Sequence, residues 1–187
     1  WADATRAYQA ELVKLQVEAL RRLKYRPTGG FLQFLLADNH PAVSWSVLDV
    51  DRVPKPGYHA LAAACAPVLP IADPLPATMS PGEETEVGIH VVSDLRHGLE
   101  GFELTMVLER EPTAEAAPTA DGAERAGTWR WSGDVPPDVC TRVGAAVVTA
   151  PADPGRWVLA LRLTGGDVDV TNRYPTTVVG STATIGA

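Results

Sequence analysis

The sequence predicts an α/β unit followed by an all-β one. Three observations carry this: an amphipathic helical pattern at the start, one short continuous apolar run after it, and a series of period-two segments beyond residue 86. From Asp3 to Lys24, the residues Tyr8, Leu12, Leu15, Ala19 and Leu23 recur at three- and four-residue steps, and Val13, Val17 and Leu20 widen the stripe. Gln9, Glu11, Glu18 and Arg22 fill the opposite side, which is expected to face water. Asp3 and Thr5 are candidate caps. The run Arg26 to Gly30 ends the helix, because Pro27 cannot continue it and Gly29 and Gly30 supply turn conformations.

Phe31 to Ala37 is nearly all apolar, as in a strand covered on both faces. Pro56 to Ala64 predicts a second helix, with Pro54 and Pro56 near its start. Helix, buried strand, loop, helix is the order of an α/β barrel or a doubly wound sheet. One strand cannot cover both of its own faces, so the missing strands are expected before Trp1 or in another chain. A chain that opens at Trp1, not Met, and almost directly in a helix, fits that expectation of a portion of something longer.

Residues 66–85 contain Pro67, Pro70, Pro74, Pro76 and Pro81 and read as a stiff connector, with one short strand around Val68 to Ala72. Alternation then takes over at Val87, Ile89 and Val91; at Phe102, Leu104, Met106 and Leu108; at Trp129 and Trp131 flanking Arg130; at Val143, Ala145 and Val147; and at Trp157, Leu159, Leu161 and Leu163. Gly165-Gly166 predicts a hairpin turn into Val168, Val170, Asn172 and Tyr174. Such a series of short strands without a helix predicts an immunoglobulin-like β-sandwich over 86–187. Pro112 to Gly127 is poor in large apolar residues and is expected to be a mobile loop.

The 187 residues are 45% hydrophobic and 21% charged, enough to bury a core. A net charge of -7 argues against a nucleic-acid partner, and no apolar run approaches the length that spans a membrane. Cys65 and Cys140 fall in separate units, so no disulfide is expected. Asp38 and Asn39 follow the apolar run, where the chemistry of a β/α barrel sits. Asp38 either bonds a polar ligand or caps the next loop, and His40 beside Pro41 reads as a loop residue. Trp45 either stacks on a sugar ring or packs inside. Trp129 and Trp131 form either a carbohydrate platform or part of a sandwich core. His90, Asp94 and His97 match no strong ligand spacing, so neither metal nor cofactor is assigned. There is no phosphate-cradling glycine loop and no nucleophile elbow. Residue chemistry alone yields no complete active site and no catalytic residue.

Arg21 to Leu61 resembles the end of the catalytic barrel in glycoside hydrolase family two, in its β-mannosidase-like branch. That branch shows a helix ending in "RR-K", a last strand of the form "G-x-x-Y-W-Q-L-N-D", then "S-W-x-x-x-D" and a Lys and a Tyr in the closing helix. This chain matches at Gly30, Asp38, Ser44, Trp45 and Asp49, and near Lys55 and Tyr58. The family's strand Trp corresponds to Phe34 here, its Asn to Ala37, and an aromatic of the next loop to His40. The resemblance implies that residues 1–65 are the terminal strand and helices of a (β/α)8, or TIM, barrel, with an immunoglobulin-like sandwich behind. It implies a retaining glycosidase whose two catalytic glutamates sit on barrel strands four and seven, upstream of this chain. The chain alone is then expected to be inactive. Asp38, Asn39, Phe34 and Trp45 would border the substrate, and the partners would be a carbohydrate and the remainder of the barrel. Two other readings stand beside it. One is a non-catalytic carbohydrate-binding module built on Trp129 and Trp131, which burial of those indoles would exclude. The other is a purely structural piece exposing the flanks of Phe31 to Leu36.

Overall fold

A computed structural model describes residues 1–111 and 124–180. Helix α1 spans Ala2–Arg22 and α2 spans Pro56–Ala64. No described side chain caps α1, so neither Asp3 nor Thr5 plays that part; Thr5 Oγ1 instead donates to the Trp1 carbonyl at 3.0 Å. Pro56 opens α2, where its missing N–H is no loss, and Lys55 precedes it at the cap position.

Between the helices the expected barrel strand does not form. Residues 31–37 run without a ladder, Leu35 takes φ +64°, and the segment touches its surroundings through an isolated parallel bridge from Ala37 to Leu48. A strand is made by the neighbour that receives its backbone hydrogen bonds, and the described residues offer none here. Leu32, Phe34 and Leu36 are left 89%, 70% and 63% exposed.

The rest is a two-sheet sandwich. Strands β1 (Val68–Ala72), β3 (Glu84–Ser93) and β6 (Cys140–Thr149) form one sheet in the order β1-β3-β6. Strands β2 (Thr78–Met79), β4 (Leu99–Arg110), β5 (Arg125–Val135), β7 (Gly155–Gly165) and β8 (Val168–Val178) form the other, in the order β2-β8-β7-β4-β5. Neighbours are antiparallel except β2 on β8. The proline-rich stretch is therefore more than a connector: β1 and β2 belong to the sandwich, which starts at Val68 and not at residue 86. Pro70 is tolerated because β1 is an edge strand. Of the expected loop Pro112 to Gly127, residues 112–123 lie outside the described residues, and Arg125 to Gly127 already belong to β5.

The alternation sorts the faces as expected on β3, β4 and β7 but not on β6, where Ala146 and Val148 are buried and the expected Ala145 and Val147 are exposed. The pairing skips Val143 between Ile89–Gly144 and His90–Arg142, and that bulge reverses the faces beyond it. Val87, Ile89 and Val91 of β3, Phe102 to Leu108 of β4 at alternate positions, and Trp157, Leu159, Leu161 and Leu163 of β7 are buried together in one core. The β7–β8 hairpin pairs Gly165 with Val168, leaving Gly166 and Asp167 at its tip, with Gly166 at φ +54°. Trp129 and Trp131 stand opposite Met106 and Leu104, half-buried and packed on the core. A Cβ at Gly144 of β6 would lie 2.1 Å from Trp131 Nε1, so the bare glycine is what lets that indole close the edge of the sandwich. These tryptophans are packing residues, not an exposed platform.

Helix α1 seats on the sandwich through polar groups that hydropathy assigns to water, while Val17 of the expected apolar stripe is buried and Glu11 is exposed as expected. Glu18 is 4% exposed, whereas Tyr8 and Leu15 are 60% and 51% exposed. Glu18 accepts hydrogen bonds from Asn172 Nδ2 at 2.9 Å and from the Tyr174 hydroxyl at 2.7 Å, and pairs with Lys14. Arg21 donates to the Ala64 carbonyl at 2.6 Å and to Asp94 at 2.8 Å, Arg22 pairs with Asp73, and Lys24 reaches Asp94 and Asp138, each at 2.5 Å. Burial, with the Glu18 carboxylate beside it, pushes the Tyr174 hydroxyl well above its ordinary pKa. Tyr174 also accepts from the Ala72 N–H at 3.2 Å. Replacing Tyr174 by Phe should therefore leave two groups short of a partner and lower stability by about 1–3 kcal/mol. A urea midpoint unchanged from wild type would show this junction contributes nothing.

Candidate functional site

The expected site residues lie on the segment between Phe31 and α2. Its fixed point is a buried ion pair: Lys55 Nζ donates to Asp38 Oδ2 at 2.6 Å, and the two side chains are 2% and 4% exposed. Asp38 Oδ1 accepts from Ser46 Oγ at 2.7 Å and from Ser44 Oγ. Lys55 donates a second bond to Ser46 Oγ at 2.8 Å, and Arg52 donates to the Asp38 carbonyl at 2.9 Å. The Lys55 ammonium, and after it the hydroxyls of Ser44 and Ser46, hold the Asp38 carboxyl well below the usual carboxylate range. Both carboxylate oxygens are thus occupied by the chain's own donors. Asp49 closes the following turn by accepting from the N–H groups of Asp51 at 2.9 Å and Val53 at 2.8 Å.

The other expected residues face outward. Phe34 and Trp45, 70% and 76% exposed, share the wall of a groove of about 820 Å³ with Tyr8, Leu12, Val13 and Val43. Asn39 lies on the exposed loop, its Oδ1 2.6 Å from His40 Nδ1, and takes no part in that wall. The fold therefore brings Phe34 and Trp45 together, turns Asp38 behind them, and leaves Asn39 apart. Residue reasoning missed Ser46, Gln9 and Gln33. Ser46 was signalled by its two-residue spacing from Ser44; Gln9 had no signal beyond being polar on a helix. The arrangement supplies aromatic and apolar contact with amide groups nearby, and no pair of facing carboxylates for acid–base chemistry among the described residues.

Together these features define a two-sheet β-sandwich preceded by a helical unit that carries one wall of a groove. No protein-family model matches the sequence, and no curated protein matches it. Among solved structures the chain is similar in fold to a β-D-mannosidase from Dictyoglomus thermophilum, with TM-score 0.65 and 16% identity over 92% of this chain and 19% of that one. The chain thus spans less than a fifth of that enzyme's length. Weaker similarities are to AvmM, which catalyses macrocyclization in alchivemycin A biosynthesis (TM-score 0.44, 5% identity, 64% of this chain and 93% of that one). Another is to a family 123 glycoside hydrolase from Clostridium perfringens (TM-score 0.40, 10% identity, 62% and 28%). Both are too slight to argue from, and the first establishes a shared fold only.

Proposed function

We propose that this chain is the C-terminal portion of a retaining β-glycosidase of the β-mannosidase-like kind, hydrolysing glycosidic bonds. Residues 1–65 close its (β/α)8 barrel, and the sandwich braces that barrel. The observation that carries the reading is the fold similarity to a β-D-mannosidase, extensive enough to take in the helical part as well as the sandwich. Two further features support it. The sequence resembles that branch at Gly30, Asp38, Ser44, Trp45 and Asp49. The large apolar side chains of Leu32 and Leu36, left mostly uncovered, are ones that neighbouring barrel strands and helices would cover.

In this reading the catalytic glutamates stand on strands that precede Trp1, and the chain's partners are that remainder of the barrel and a carbohydrate. Phe34 and Trp45 offer flat apolar faces to a sugar ring, and Asn39, apart from them on the exposed loop, would meet the substrate only outside this groove. Asp38 serves from behind, holding the loop with both oxygens already bonded. The test is an assay of aryl β-mannoside hydrolysis by the 187-residue chain and by the gene product that includes the sequence before Trp1. The longer protein is expected to release the aryl group with retained anomeric configuration, and the chain alone is expected to give no turnover above the blank. Turnover by the chain alone, or a longer protein without two glutamates at strand ends, would overturn the proposal.

A further inference from the structure

Trp45 is exposed, yet the backbone that carries it is held from several directions. The two residues after it, Ser46 and Val47, are fully buried, and Ser46 is tied to Asp38 and Lys55. From α1, Gln9 Nε2 lies 3.3, 3.0 and 3.1 Å from the carbonyl oxygens of Ser44, Trp45 and Ser46. From the preceding segment, Gln33 Nε2 lies 3.1 Å from the same Trp45 carbonyl. Carbonyls only accept, so three of them around one end of Gln9 identify that end as its NH₂. The Oε1 end of Gln9 approaches α2 at Gly57, where a Cβ would come within 3.3 Å. One amide thus gathers α1, the first turn of α2 and the Trp45 loop.

An aromatic side chain on a loose loop must be ordered when a ligand binds, and that ordering subtracts from affinity; a backbone fixed in advance avoids the loss. We infer that Gln9 and Gln33 are positioning residues for Trp45. They clamp its carbonyl from two elements so that the indole is presented into the groove, ready for the C–H face of a sugar ring. The sugar in this statement rests on the proposed glycosidase function; the clamp does not, and the two are separable by experiment.

The chain holds five tryptophans, so a ¹H–¹⁵N spectrum carries five indole N–H signals, and Trp45→Phe assigns the one from Trp45. Gln9→Glu keeps the length of the side chain and replaces its donor with a carboxylate facing three carbonyls. The Trp45 signal is expected to shift and broaden, while that of Trp157, deep in the sandwich, stays in place. Gln33→Glu, on a segment outside any helix or strand, should move the same signal, and it decides the matter if Gln9→Glu disturbs Trp157 as well. A Trp45 signal unmoved by both substitutions overturns the clamp. In the longer gene product, Gln9→Glu should lower kcat/KM for an aryl β-mannoside about tenfold, mostly through KM, as expected for lost substrate positioning. A shifted Trp45 signal with unchanged kcat/KM would leave the clamp standing and overturn the sugar's place on Trp45.

Discussion

Replacing Lys55 by Met will loosen residues 31–55 and leave the sandwich untouched. The Asp38 carboxylate loses its one cationic partner, and Ser46 loses a donor, at side chains that are 4% exposed or less. Breaking a buried pair by removing one member typically costs about 3–5 kcal/mol, because the other charge stays desolvated and unpaired. The lower end applies here, since the cover over the pair is thin and Leu32 to Leu36 around it are largely exposed. A loss of about 3 kcal/mol raises the open population of the segment roughly a hundredfold. Hydrogen exchange resolved along the chain should show it within residues 31–55 and nowhere in β3, β4 or β7. Removing both charges, with Asp38→Leu beside Lys55→Met, should recover most of the loss. Unchanged exchange in the single variant would mean the pair does not hold this segment.

The same pair sets a pH dependence whose sign follows from Asp38. Its folded pKa is depressed below its unfolded value, which lies near 3.9. The stabilisation is therefore fully present above about pH 4–5 and is lost as the pH falls below that, through the depressed folded value.

The second large effect belongs to the other part of the chain. Trp157 is fully buried in the central strand of the five-stranded sheet, with its indole N–H 3.3 Å from the Asp153 carbonyl and the Arg110 guanidinium 4.7 Å from its ring. Trp157→Ala removes the largest side chain of that core and leaves a cavity, at a cost of about 3–5 kcal/mol. For a domain of this size each kcal/mol corresponds to about 4 °C, so the melting temperature should fall by roughly 12–20 °C. Near-ultraviolet circular dichroism during a thermal scan measures it, and a drop of less than about 5 °C would contradict the packing described. Lys55→Met should leave that transition where it is. If both substitutions move one shared transition equally, the helical unit and the sandwich melt as one body, and the division near residue 65 fails.

The sandwich was readable in the sequence because both of its sheets lie in this chain. Period-two alternation has one solution when the buried face finds its partner nearby, and Val87 to Val91, Phe102 to Leu108 and Trp157 to Leu163 fall on the expected sides. The helical unit was readable in outline only. The run Phe31 to Ala37 has the composition of a strand, but a ladder needs a neighbour and the described chain supplies none. Glu18 and Gln9 were assigned to water by hydropathy; the partners that hold them, Asn172, Tyr174 and the carbonyls of residues 44–46, are far away in sequence.

Although the bulge in β6 reversed the face expected there, sequence alone determined for this protein where both helices and most of the strands lie, and which faces of β3, β4 and β7 are apolar. These follow from local periodicity and backbone chemistry, which act over a few residues. Only the tertiary structure decided that Asp38 turns inward to Lys55, 17 residues on, and that α1 meets the sandwich through charges. It also showed that Trp45 stays outside on a clamped backbone. Those outcomes depend on which polar groups meet across long loops, where desolvation is repaid only by a partner at hydrogen-bond distance.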